Sequence, residues 1–162
     1  MWSSKPKKVE PTGFVGDTSP EQEECLAQFK AFVQAGNLNP EGRWDDYDFL
    51  RFCRARKFQI AEVQKMFVNH LEWRQREKVD GLHLEWTFPE APEVAKIYPR
   101  FYHKVDKMGR PIYIERVGKL DIDVLWTITT EERMFREYAA AFEKLFHFRY
   151  PACSHAAGKR IE

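Results

Sequence analysis

An excess of charge of either sign is missing from this sequence: 26 Lys and Arg stand against 25 Asp and Glu in 162 residues, a formal net charge of +1. No global field draws such a chain to a polyanion, so any basic function has to be local. Cysteine is scarce. Cys25, Cys53 and Cys153 lie far apart, in no metal-ligand spacing. Nothing in that pattern suggests a disulfide framework, and a reducing cytosol is the simplest setting. No run reaches the roughly 18 apolar residues of a membrane span, and Met1–Lys8 lacks the apolar core of a secretory signal. The sequence predicts a soluble, intracellular protein.

Catalytic patterns are missing too. Asp121 and Asp123 pair carboxylates, but they directly follow a hairpin pattern and read as loop or helix-cap residues. The five histidines are scattered, without the spacing of a metal site. Gly118-Lys119 and Gly158-Lys159 resemble the end of a phosphate loop, yet neither has the preceding glycine at the required distance. An enzyme is not expected, and no cofactor is implied.

What is present is aromatic surface, 15% of the chain with thirteen Phe and five Trp. Residues 1–18 have no periodicity and read as a flexible tail. Ser19, Pro20 and Gln22 then form a capping box. Leu26, Phe29, Phe32 and Val33 follow at helical spacing up to Gly36. A second helix starts at Asp45 or Asp46 with the apolar stripe Phe49, Leu50, Phe52 and Cys53. A third runs from Ile60 through Phe67 and Trp73 until Gly81 interrupts it. Residues 19–80 thus read as an all-α module of three helices.

Beyond an irregular, proline-marked connection, two β-rich runs flank Asp106–Arg110 and predict a hairpin. Val94–Tyr98 before it suits a helical turn. Thr129-Thr130-Glu131-Glu132 predicts a capping box opening a long helix that Pro151 should stop. Phe135, Tyr138, Phe142, Leu145 and Phe146 share one broad face of that helix. A lone hairpin and an aromatic helix are too little to close a sheet domain. The pattern therefore suggests a truncated chain with an α/β domain begun over 90–162.

The stretch FLRFCRARKF, Phe49–Phe58, concentrates four cations. Arg51 and Arg54 fall opposite the apolar stripe, on the outside. Arg56 and Lys57 fall at the helix end, where they could serve its negative pole, belong to a nucleic-acid patch, or hold one phosphate. Spacing alone leaves these three open.

DFLRFCRARKFQIAEVQKMFVNHLEWR resembles the N-terminal helical module of CRAL-TRIO proteins. IYPRFYHKVDKMGRPIYIERVG, TTEERMFREY and RYPACSHAAG resemble the phosphatidylinositol/phosphatidylcholine transfer branch of that family, the Sec-fourteen type. Four segments in collinear order, from about Glu21 onward, carry the likeness. It implies an α/β lipid-binding domain after a tripod-like helical module, and exchange of whole phospholipids between membranes without breaking a bond. It further implies support of phosphoinositide signalling and Golgi secretory traffic, transient membrane contact, lipid kinases as partners, a monomer when complete, and a cytoplasmic location peripheral at Golgi membranes. Nucleic acid is not an expected partner.

By the same resemblance, Arg56 and Lys57 match the basic pair that meets the inositol phosphate. Tyr102 and Tyr113 match two tyrosines around choline, with Phe142 at the position of a third tyrosine. Trp73 and Phe135 also fit the family, as core residues. Strands that would close the lipid pocket lie beyond Glu162, so the chain alone is expected to be transfer-incompetent. The alternatives are a lipid-responsive adaptor without exchange activity, or a basic nucleic-acid-binding module.

Overall fold

The computed structural model describes residues 10–162, which divide into two compact units, one ending at Trp73 and the other comprising Arg74–Glu162. The first holds two helices and most of a third, whose last turn belongs to the second unit. Helix α1, Pro20–Ala35, starts as expected: Gln22 N donates to Ser19 Oγ at 3.2 Å, and Ser19 N donates to Gln22 Oε1 at 3.0 Å. Helix α2, Asp46–Ala55, uses the same device with Asp45 and Asp48. Both ends thereby satisfy amides that a helix start leaves unpaired. Helix α3 covers Ile60–Glu77.

Apolar side chains spaced by three and four residues bring the helices together. Phe29 is fully buried, with ring centroids 5.2 Å from both Phe49 and Phe67 in edge-on geometry. Phe52 meets Phe67 the same way at 5.2 Å. Edge-to-face pairs of this kind add about 0.5–1.5 kcal/mol each to the burial of their area. Cys25 and Cys53 are buried in this core and unbridged. Burial pushes the Cys53 thiol up to about 12, which makes it a core side chain rather than a nucleophile.

Residues 1–9 of the expected tail lie outside the described residues, but 12–17 are not tail-like. Asp17 accepts from Thr12 Oγ1 at 2.6 Å and Thr12 N at 3.1 Å, closing a tight turn that Gly13 N and Asp17 N reinforce. The turn docks on α2. Arg54 Nη1 donates to Gly13 O at 3.0 Å, and its guanidinium lies 3.8 Å from the Phe14 ring centre. Arg54 therefore does not simply face outward as its spacing suggested. Gly13 has φ +76°, and a Cβ there would come within 2.7 Å of Phe58, so both conformation and space require glycine.

In the second unit, Lys78 (φ 52°) and a 3-10 turn at Val79–Gly81 lead into short helices α4, Leu82–Glu85, and α5, Ala91–Ile97. The hairpin follows as strands β1, Arg100–Val105, and β2, Pro111–Glu115, antiparallel with Tyr102 opposite Tyr113 and an irregularity between Tyr102 and Val105. Asp106 Oδ1 accepts from the amides of Met108 and Arg110 and fixes the turn. Helix α6, Ile122–Ile128, is an element that the sequence pattern did not place, but Asp121 takes the cap role read for it, accepting from Val124 N.

Helix α7, Glu131–Lys144, is capped by Thr130 accepting from Arg133 N, without the reciprocal half of a capping box. Two expectations fail here. The helix does not stop at Pro151: a π-helical stretch, Leu145–Arg149, joins it to α8, Tyr150–Ala157, with Pro151 in the first turn. Proline lacks the N–H that a continuing α-helix would use, and the wider π turn accommodates the change of bonding. The buried side differs in part: of the expected face Leu145 is buried and Tyr138 half-buried, and Met134, Ala139, Ala140 and Glu143 complete it. Phe135, Phe142 and Phe146 are exposed, so Phe135 is not a core residue.

Candidate functional site

Helix α2 ends in a Schellman arrangement: Phe58 N donates to Cys53 O at 2.8 Å and Lys57 N to Arg54 O at 3.1 Å. That geometry needs a left-handed residue, usually glycine. Here the chain uses Lys57 (φ 49°) and then Phe58 (φ 57°). A side chain in this region costs on the order of 1–2 kcal/mol per residue. Phe58 is held by packing against the first unit's core and by the Gly13 contact. Arg56 and Lys57 are exposed, and among the described residues neither has a carboxylate partner; Arg56 Nη1 donates only to the backbone of Ala55 at 3.2 Å. Arg51, by contrast, pairs with Asp48 at 3.4 Å. The four cations of the basic stretch thus divide into two committed to local structure and two presented outward.

Tyr102 and Tyr113, in the second unit, are brought together by the hairpin register, with ring centroids 5.0 Å apart and planes tilted by 45°. The Arg149 guanidinium sits 4.3 Å from the Tyr102 ring centre, so this ring already attracts a cation. Tyr113 donates to Glu115 Oε1 at 2.8 Å; burial, then this bond, raises its phenol above the usual range. Tyr138 donates to Tyr98 Oη at 2.7 Å and also approaches Glu115 Oε1, at 3.2 Å. Phe142 is 53% exposed, and among the described residues no ring pairing joins it to either tyrosine. An apolar groove of about 690 Å³ opens between α6 and α7, with Leu125, Trp126, Met134 and Phe135 in its lining.

Charge pairs that spacing could not reveal organise the same unit. Arg74 is buried and reaches Glu143 with two parallel bonds, Nη1 to Oε1 at 3.0 Å and Nη2 to Oε2 at 2.8 Å, while Nε donates to Asp80 at 2.7 Å. Burial opposes its charge, but the bonds it donates to Glu143 and Asp80, with their negative charges, outweigh burial and raise its pKa. Arg133 grips Glu90, which Thr129 Oγ1 also reaches at 3.0 Å; the Arg133 bonds hold the Glu90 carboxyl down at about 2. The histidines are less scattered than the sequence suggested: His83, His147 and Glu143 converge, with one ligand atom from each inside a 4.8 Å span.

The CRAL/TRIO, N-terminal domain matches residues 25–69. SEC14 cytosolic factor of Yarrowia lipolytica is 41% identical over 99% of this chain and 33% of its own length. SEC14 cytosolic factor of Candida glabrata is 39% identical over 93% of this chain and 49% of its own. Phosphatidylinositol/phosphatidylcholine transfer protein SFH9 of Arabidopsis thaliana is 42% identical over 87% of this chain and 24% of its own. The chain thus spans a quarter to a half of these relatives. Residues 25–69 are a CRAL/TRIO N-terminal domain, in a chain homologous over most of its length to SEC14 and phosphatidylinositol/phosphatidylcholine transfer proteins.

Proposed function

We propose that this chain supplies headgroup-reading elements of a phospholipid exchange protein, one that binds phosphatidylinositol and phosphatidylcholine and moves them between membranes. The observation that carries the reading is the end of α2. There a strained, non-glycine left-handed turn keeps two cations outward and, among the described residues, without carboxylate partners, in a chain about 40% identical to phosphatidylinositol/phosphatidylcholine transfer proteins of Arabidopsis thaliana. Strain retained at an exposed basic pair is reasonable where the charge has a use. Arg56 offers a planar fork to phosphate oxygens and Lys57 a mobile point charge.

The tyrosine pair supports a choline role. Aromatic faces attract a quaternary ammonium with roughly 0.5–2 kcal/mol per good contact, and Tyr102 already holds Arg149 that way. Phe142 keeps a ring without a hydroxyl, which shifts preference away from phosphatidylcholine. In this reading the parent protein serves phosphoinositide signalling and secretory traffic at Golgi membranes, working from the cytoplasm as a monomer beside lipid kinases.

The test is a chimera in which this chain replaces the matching third of the Yarrowia relative, assayed for transfer of labelled lipids between vesicles. Arg56→Ala with Lys57→Ala is expected to lower phosphatidylinositol transfer about tenfold, as loss of roughly 1.4 kcal/mol of charge-assisted bonding implies, and to spare phosphatidylcholine. Tyr102→Ala should do the reverse. Equal transfer of phosphatidylinositol with and without the basic pair would overturn the assignment.

A further inference from the structure

Three side chains at one end of α7 meet without any part in the headgroup reading. Glu143 and His147 are one turn apart, and the π-helical stretch carries His147 past the end of the regular helix. His83 comes from α4, which packs on α7. The imidazoles of His83 and His147 are stacked, centroids 4.1 Å apart and planes 10° from parallel. His147 Nε2 is 3.6 Å from Glu143 Oε2. One ligand atom from each of the three falls inside a 4.8 Å span.

Two features distinguish this from a surface coincidence. Nδ1 of His83 is buried and has no hydrogen-bond partner, so the protein leaves a ring nitrogen unsatisfied where native structures rarely do. Glu143 is 5% exposed and oriented by the two Arg74 bonds, with Asp80 balancing Arg74 from its other side. A ligating carboxylate steadied by its own hydrogen-bond partner is the arrangement that tunes metal sites.

We propose that His83, Glu143 and His147 bind one divalent transition ion of the zinc class. Two imidazoles and a carboxylate are the donors that suit such an ion, and three protein ligands leave a position for water. Donors around a tetrahedral zinc stand about 3.4 Å apart, given bonds near 2.0–2.1 Å, so the 4.8 Å span must contract. Lone pairs on parallel rings run side by side instead of meeting at a point. Loading therefore requires one ring to turn, and His147, with a side chain 41% exposed, has the room. The bound ion would join α4 to the end of α7.

The test is titration of the tag-free 162-residue chain with Zn²⁺ at pH 7.5, read by calorimetry and by competition with a chromophoric chelator. One ion per chain is expected, weakened about tenfold or more by His83→Ala or by His147→Ala. His155→Ala, in α8, should leave it unchanged. Affinity should weaken in acid, because protons compete with the ion for ligand atoms. Binding that survives the double His83→Ala, His147→Ala change, or no binding, overturns the proposal. Should those variants unfold, side-chain nitrogen NMR of the unmutated chain decides. Zn²⁺ must move the ring nitrogens of His83 and His147, and movement of other histidines alone counts against the site.

Discussion

Lys57 sets stability against use within one residue. Its left-handed backbone would suit glycine, so Lys57→Gly is expected to stabilise the first unit by about 1 kcal/mol in chemical denaturation. The same change removes a cation from the proposed phosphate pair and should weaken phosphatidylinositol transfer by the chimera. A destabilised Lys57→Gly variant would show that the side chain earns its place through contacts in the fold. Sequence spacing located Arg56 and Lys57 at a helix end, because apolar periodicity fixes where a helix faces the core. It could not reveal that Arg54 turns back to Gly13, since a contact across 41 residues leaves no periodic trace.

At the scale of elements, helix starts were the most legible features. Ser19, Asp45 and Thr130 act through amides two or three residues away, so the signal is local. Helices α4 and α6 were missed because each is at most two turns long and gives periodicity little to work with. The π-helical joint was missed because proline reads as a stop, although it is well tolerated in a first turn. The buried face of α7 was misassigned in part, for another reason. Large aromatic residues dominate the pattern, while Ala139 and Ala140 permit close packing and Glu143 is buried only because Arg74 meets it.

The Glu90–Arg133 pair gives a pH signature to the approach between the α5 start and α7. Arg133 holds the folded carboxyl near 2 against an ordinary 4.5, so its contribution is complete above the ordinary value and drains as pH falls toward 2. Thermal melts across that window should show a steeper acid loss for the unmutated chain than for Glu90→Gln. Identical slopes would mean that other carboxylates govern acid unfolding.

For the molecule as a whole, apolar surface is the governing quantity. Phe101, Ile112 and Tyr113 on the hairpin and Phe135, Phe142 and Phe146 on and just beyond α7 are all more than a third exposed. A two-stranded sheet offers little cover, and exposed patches of this kind favour association. The isolated 162-residue chain is expected to self-associate with rising concentration in sedimentation experiments, and to move no labelled phosphatidylinositol between vesicles. Robust transfer by the isolated chain would refute the view that further sheet is needed to enclose a lipid.

The turn at Thr12–Asp17 has a consequence for mutational tolerance. Its composition suggests a linker, where substitutions are ordinarily harmless, yet Gly13 is wedged between Phe58 and Arg54 with a backbone few side chains adopt. Saturation mutagenesis scored by folding should find Gly13 among the least forgiving positions of the first unit, while Val15 and Gly16, open to solvent, accept replacement more readily. Since Phe58 adjoins Lys57, a side chain at position 13 would also loosen the basic pair from a distance, giving a way to probe the proposed phosphate site without touching either charge.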